Sequence, residues 1–213
     1  MSNFSPERWT DEGSYYQFKF EQMSDEHLYE LHQGRLGASD FATVASRSRF
    51  SSRNDLLSKV IEGKNFISKE GRDVWLKEGK EPEENARKWY ENLYKVKVDQ
   101  ANMCVPKWNP RISGSPDGFV GDDGLIEIKC PKRLYGNLVR RKTEKYKNPI
   151  FPSHYDQMIG YMAITGRKWC DYVVLDESGD FYVERLKFNK HHWENILYPE
   201  IQRFLMNVGE SKV

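Results

Sequence analysis

Gly114-Ser115-Pro116-Asp117-Gly118-Phe119-Val120-Gly121-Asp122-Asp123-Gly124-Leu125-Ile126-Glu127-Ile128-Lys129 is the stretch on which the reading of this chain turns. From Leu125 to Lys129 the residues alternate with the two-residue period of a strand. Leu125, Glu127 and Lys129 therefore share one face, while Ile126 and Ile128 point the other way into a core. Alone, this describes a half-exposed strand with an ion pair worth under about 1 kcal/mol. Asp117, at the start of the preceding strand, adds a second carboxylate. Hydrolysis of a phosphodiester needs a divalent metal to neutralise the phosphate and to acidify water, and hard Mg²⁺ prefers carboxylate, carbonyl and water oxygens. Asp117, Glu127 and the backbone carbonyl of Ile128 are accordingly the candidate metal ligands. Lys129 is the candidate to hold and polarise the attacking water.

The two carboxylates meet only in the right strand register. An even hairpin loop pairs Val120 with Leu125 and leaves Asp117 opposite Ile128, on the wrong face. An odd loop within residues 121–124, or a bend at Gly118, turns Asp117 toward Glu127, and glycine permits both.

Outward from this hairpin the pattern is mixed. Helical signals come first: Ser24 as a cap for residues 25–33, Ser39 as a cap for 40–46, and residues 53–63 with Leu56, Leu57, Val60 and Ile61 at helical spacing. Residues 71–95 carry an apolar stripe of Trp75, Ala86, Trp89, Tyr90 and Leu93, with Pro82 expected to open a new helix at its first turn. Residues 96–105, 111–120 and 125–130 read as a strand meander. A helix over 153–165, strands over 170–176 and 181–188 and a closing helix from about Asn189 follow. The fold class is α/β, a central sheet flanked by helices, with residues 1–213 as one domain.

Composition narrows the function class. The chain is 38% apolar and 14% aromatic, too much for a disordered segment. Lys plus Arg outnumber Asp plus Glu by only 33 to 32, so any nucleic-acid signal must be local. It is found at residues 129–147, where Lys129, Lys132, Arg133, Arg140, Arg141, Lys142, Lys145 and Lys147 face Glu144 alone, a formal +7. Tyr135 and Tyr146 interleave this run, as suits a surface that grips phosphates and stacks bases. Cys104, Cys130 and Cys170 form no CxxC pair, so a disulfide framework is not expected, and three cysteines are too few for a four-cysteine iron–sulfur cluster. His191-His192 lacks a third ligand at zinc spacing and reads as a surface or capping pair. The N-terminal residues lack the apolar core of a signal peptide and no stretch is of membrane-spanning length, so a soluble, cytoplasmic protein without a membrane partner is expected.

Residues 114–118 and 125–131 together resemble the core of the lambda-exonuclease and YqaJ-type viral recombinase nucleases, within the PD-(D/E)xK superfamily. Residues 79–87 are similar to the family's helix motif, with Glu83 at the position whose acid reaches the metal site. Gln157 and Tyr161 fit the Q-h-x-x-Y motif of related RecB-type nucleases, one turn apart on one helix face. Residues 35–40 resemble the early A-S-[DE] segment, where Ser39 matches the serine.

The resemblance implies a restriction-endonuclease-like fold with a central mixed β-sheet, and an exonuclease that degrades one strand of linear double-stranded DNA, 5′→3′, in recombination. It implies two Mg²⁺ per site, with Mn²⁺ able to substitute, held by Asp117, Glu127, Ile128 and Glu83, with Gln157 and Tyr161 orienting water or phosphate. It also implies a single-strand annealing protein as partner, a ring-shaped homotrimer, and a phage or prophage source in a bacterial cell. The family anchors the terminal 5′-phosphate with an early arginine. Here His32 stands in that place and Arg35 is displaced along the chain, so both join Ser39 as candidate DNA-binding residues. Two other readings stay open: a structure-selective or site-specific endonuclease on the same core, and a DNA-binding module without catalysis.

Overall fold

A computed structural model describes residues 4–19, 31, 34–48, 51–62, 69–130, 150–176 and 179–210. In chain order its elements are β1 (Trp9–Asp11), β2 (Tyr15–Phe18), β3 (Leu36–Gly37), a 3₁₀ turn (Ala38–Asp40), α1 (Phe41–Val44), α2 (Arg53–Glu62) and α3 (Lys69–Tyr94). Then come β4 (Val98–Asp99), β5 (Cys104–Pro106), β6 (Ile112–Ser113), β7 (Gly118–Val120), β8 (Gly124–Lys129), α4 (Pro152–Thr165), β9 (Trp169–Leu175) and β10 (Phe181–Lys187). Helical turns at Lys190–His192 and Trp193–Leu197 lead into α5 (Tyr198–Glu210).

Strand β8 lies in the middle of a five-stranded sheet of order β10-β9-β8-β7-β4. The pairing of β8 with β9 is parallel and the other pairings are antiparallel, so the sheet is mixed as expected. A parallel neighbour requires a crossover, and α4 lies on that connection. Both faces of β8 are covered. Ile126 and Ile128 pack with Val98, Val120 and Val173 against Ala86 and Tyr90 of α3. On the opposite face, Leu125, Cys170 and Tyr172 join Met158, Ile159 and Tyr161 of α4, with Phe41, Leu56, Phe204 and Leu205 behind them. Each such side chain contributes roughly 1.5–3 kcal/mol on burial. Glu127 is thereby trapped under α4 at 1% exposure, where an ordinary half-exposed strand would leave it wet.

Several local expectations change in the tertiary context. Residues 96–105 do not form one strand: β4 joins the central sheet, whereas β5 joins β1 and β2 in a three-stranded sheet of order β1-β2-β5. Residues 111–120 likewise divide, with β6 pairing parallel to β3 and β7 pairing with β8. Alternation marks a strand but not its sheet; Val98 is drawn to the α3 core and Val105 to a separate cluster with Trp9, Phe18 and Met103. Pro82 does not open a helix but sits inside α3. A proline costs a helix one backbone bond and crowds the preceding turn; here the helix runs on, with Ala86 and Tyr90 of its following turns anchored in the core. Leu93 is 53% exposed, so among the described side chains the buried stripe is Ala86 and Tyr90, flanked by Trp89 stacked on Phe181. Ser39 is not a helix cap; it lies within the 3₁₀ turn and is exposed, and no side-chain cap bond forms there.

The closing segment does begin at Asn189, whose Oδ1 accepts the His192 amide at 2.9 Å. His192 is a core residue rather than a surface one. Its Nε2 meets buried Asp156 Oδ1 at 2.7 Å, and Arg47 Nε meets the other oxygen at 2.8 Å. The three cysteines are free. Among the described residues, no helix is long and apolar enough to cross a membrane. Of the expected helix over 25–33 only Leu31 is described, in helical conformation, and the side chains of Ile61 and Trp75 lie outside the described residues.

Candidate active site

The register that joins the two carboxylates comes from an odd turn. Val120 pairs with Gly124 and Gly118 with Ile126, so three residues, Gly121 to Asp123, close the hairpin. Gly121 enables this by taking φ +55°, a conformation costly for residues with a Cβ. Extending the register by one step sets Asp117 opposite Glu127. The Asp117 amide donates to the Ile126 carbonyl at 3.1 Å, and its Oδ2 accepts the Ile128 amide at 2.6 Å. Ile128 thus enters the site through its N–H, holding the Asp117 carboxylate in place.

Glu127 Oε1 lies 2.5 Å from Lys129 Nζ, while Oε2 is buried and reached by no donor among the described residues. Burial pushes the Glu127 carboxyl up to about 8; Lys129 opposes this and the adjacent Asp117 adds to it. Asp117 is raised for the same leading reason, against the pull of Lys129, the Ile128 amide, Arg87 and a hydrogen bond with the Glu127 carboxyl. Burial alone would lower Lys129, but Glu127 and Asp117 outweigh it and keep the ammonium charged. Glu83, half-buried on α3, reaches the same centre electrostatically, and its charge is felt by Glu127, Lys129 and Cys130.

From the other face, α4 presents Gln157 and Tyr161, with Gln157 Nε2 donating to the Tyr161 hydroxyl at 2.6 Å. Burial and the charges of Glu127 and Asp117 raise the Tyr161 hydroxyl far above its usual range, so it stays neutral. Gly114 makes room for this ring, since a Cβ there would lie 2.7 Å from Tyr161 Cδ1.

Among the described residues, no three His, Cys, Asp or Glu side chains form a closed cage. The centre is an open pair of buried carboxylates. That donor set fits Mg²⁺, which keeps several waters and binds through one or two carboxylates together with phosphate oxygens. The orphaned Glu127 Oε2 is the atom such an ion would satisfy.

The family model for the YqaJ-like viral recombinase domain matches residues 28–168. The chain belongs to that family. A search of curated proteins gives no match. The YqaJ-like chain is similar to the crystal structure of an alkaline exonuclease (LHK-Exo) from Laribacter hongkongensis, at 28% identity and a TM-score of 0.71, covering 87% of this chain and 93% of that one. The same exonuclease in complex with dAMP gives a TM-score of 0.72 at the same identity and coverage. A phage-related exonuclease from Haemophilus somnus 129PT shares the fold at 13% identity and a TM-score of 0.57, over 85% of this chain and 94% of that one. The restriction-endonuclease-like architecture expected of this YqaJ-like sequence is therefore the observed one.

Of the candidate site residues, Asp117, Glu127, Ile128, Lys129, Glu83, Gln157 and Tyr161 converge from the residue before β7 and from β8, α3 and α4. Arg35 does not join them. Its Nε and Nη1 donate to the carbonyls of Pro110 and Leu31 at 3.1 and 2.7 Å. His32, Lys132, Arg133, Arg140, Arg141 and Lys142, with Tyr135 and Tyr146, lie outside the described residues.

Three neighbours were not singled out from sequence. His154 Nδ1 lies 2.7 Å from the hydroxyl of Tyr172, the residue directly beside Glu127 in the parallel pairing. Burial and the Lys129 charge lower His154 to about 4, so it is neutral. Arg87 acts on Asp117 from α3. Helical spacing was the available signal for two of them: His154 falls on the Gln157–Tyr161 face, and Arg87 lies one turn beyond Glu83.

Proposed function

We propose that this chain, an exonuclease of the YqaJ and alkaline-exonuclease type, degrades one strand of linear double-stranded DNA in a Mg²⁺-dependent reaction, running 5′→3′. The observation that carries the reading is the buried Asp117–Glu127 pair beside Lys129, with one Glu127 oxygen that no donor among the described residues reaches. A mere DNA binder has no use for clustered carboxylates facing phosphate.

Asp117, Glu127 and the Ile128 carbonyl would hold Mg²⁺, with Glu83 bearing on a second ion or its waters. The bound metal would neutralise the phosphate and acidify water, and Mn²⁺ would substitute. Lys129 orients the attacking water through its ammonium, which Glu127 fixes in place. Gln157 and Tyr161 act as neutral donors that orient the same water or the scissile phosphate. Ser39, exposed at the 3₁₀ turn, takes the 5′-terminal phosphate. Because Arg35 has two of its donors committed to backbone carbonyls, His32 is the favoured partner for Ser39, and Lys132, Arg133, Arg140, Arg141 and Lys142 grip the duplex.

Histidine is largely neutral above about pH 6.5 and offers a weaker donor than arginine. Preference for 5′-phosphorylated ends is therefore modest and grows toward pH 6. In the cell the product strand would pass to a single-strand annealing protein, and a homotrimeric ring would retain the DNA between cuts.

Digestion of end-labelled linear duplex with and without Mg²⁺ tests the reading. Mononucleotides should leave the 5′ end, and closed circular DNA should survive. Cleavage of closed circles would favour the endonuclease reading, and release from the 3′ end would remove the polarity.

A further inference from the structure

Arg87 belongs to the face of α3 that carries Glu83, one turn further along. Its partner in α3, Glu84, is 3.7 Å from Nη1, beyond hydrogen-bond length. Its Nε is buried with no acceptor among the described residues. A guanidinium is charged at any working pH and carries five N–H donors in a planar fork. Leaving a buried donor unmet is costly, so an arginine that exists only to brace a helix would be expected to find a carbonyl or carboxylate within hydrogen-bond distance. Arg35, Arg47, Arg53, Arg167 and Arg185 all do so in this protein. Arg87 instead has only the loose 3.7 Å ion pair with Glu84 among the described residues, and its charge is felt by Asp117, with which it forms no hydrogen bond.

Its surroundings define what would complete it. Asp117 has one oxygen committed to the Ile128 amide, and Glu127 has one committed to Lys129. A phosphodiester reaching a metal on this carboxylate pair must bring its non-bridging oxygens to the same place. The guanidinium is thus near the one anion that the reaction requires, and a planar fork matches two phosphate oxygens.

We propose that Arg87 binds the scissile phosphate, donating from its guanidinium to a non-bridging oxygen and so aligning the phosphorus for attack. This rests on the nuclease reading above. It assigns a substrate contact on the α3 side of the site, opposite Gln157 and Tyr161.

The test compares wild type, Arg87→Gln and Arg87→Lys by two readouts. In binding of a fluorescent linear duplex with Ca²⁺ in place of Mg²⁺, the slope of log affinity against log salt should fall by about one for Arg87→Gln and stay near wild type for Arg87→Lys. In digestion at saturating Mg²⁺, Arg87→Gln should lose roughly 30-fold or more in kcat/KM, Arg87→Lys should recover part of it, and half-saturating Mg²⁺ should not rise. An unchanged salt slope for Arg87→Gln would overturn the proposal, even if activity fell. So would activity that excess Mg²⁺ restores, since Arg87 would then act through the metal affinity of Asp117. Failure of the wild type itself to digest DNA would sink the nuclease reading, while the salt slope still decides whether Arg87 meets a phosphate.

Discussion

Replacing Glu127 with glutamine should stabilise the metal-free protein while abolishing digestion. Glu127 is 1% exposed and its carboxyl is pushed from 4.5 up to about 8, first by burial and then by Asp117, against the attraction of Lys129. A carboxyl whose folded pKa lies above its unfolded value supports the fold fully below about pH 4.5. That support is lost as the pH rises through about 8. At pH 7 the unfolded chain would already be ionised at this position, and retaining the proton in the fold costs on the order of 3 kcal/mol by linkage. Glutamine has nearly the same shape and no proton to lose. Its Oε1 can still accept from Lys129 Nζ, as the protonated Glu127 does at 2.5 Å, and the ammonium still has Asp117 beside it. The net gain should be about 1–3 kcal/mol, a rise in Tm of roughly 3–10 °C for a chain of this size. Thermal unfolding in EDTA at several pH values checks this, and the gap between variant and wild type should widen from pH 6 to about pH 9. Mg²⁺ should then raise the Tm of wild type and not of the variant. A Tm for Glu127→Gln equal to or below wild type throughout, or a gap that closes as pH rises, would refute the reasoning.

Asp117→Ala and Lys129→Ala should each lower Mg²⁺-dependent digestion of labelled duplex at least about a hundredfold with the fold retained by circular dichroism; a variant near wild-type rate leaves the mechanism without that residue. Half-saturating Mg²⁺ should fall as pH rises from about 7 to 9, because the raised Asp117–Glu127 pair must release its proton to solvent before the metal can bind, and a flat titration would contradict that competition. Tyr90→Phe removes the 2.5 Å bond to Asp171 on the far face of the sheet, where Arg185 still pairs with that carboxylate. Stability should drop by about 1–2 kcal/mol in urea unfolding while digestion proceeds at the wild-type rate.

The central hairpin was legible from the residues because a strand's period is two: Glu127 and Lys129 had to share a face, and Asp117 could reach them only through an odd loop or a bend. Gly121 supplied the odd loop. The parallel partner of β8, the splitting of residues 96–105 between two sheets and the passage of α3 through Pro82 were not legible. Each depends on which core recruits a short segment, and local periodicity does not say. Arg87 and His154 went unremarked because an arginine or a histidine at helical spacing looks the same whether it faces water or a buried centre.

The sequence by itself determined the residue types of the site, their order, and the shared face of Glu127 and Lys129, since these follow from covalent spacing and the strand's pleat. Only the tertiary structure decided that the face is dry. Closing α4 over β8 excludes water from Glu127, and that exclusion raises its proton affinity, leaves one oxygen without a donor, and creates the demand for a cation that a strand in solvent would not have.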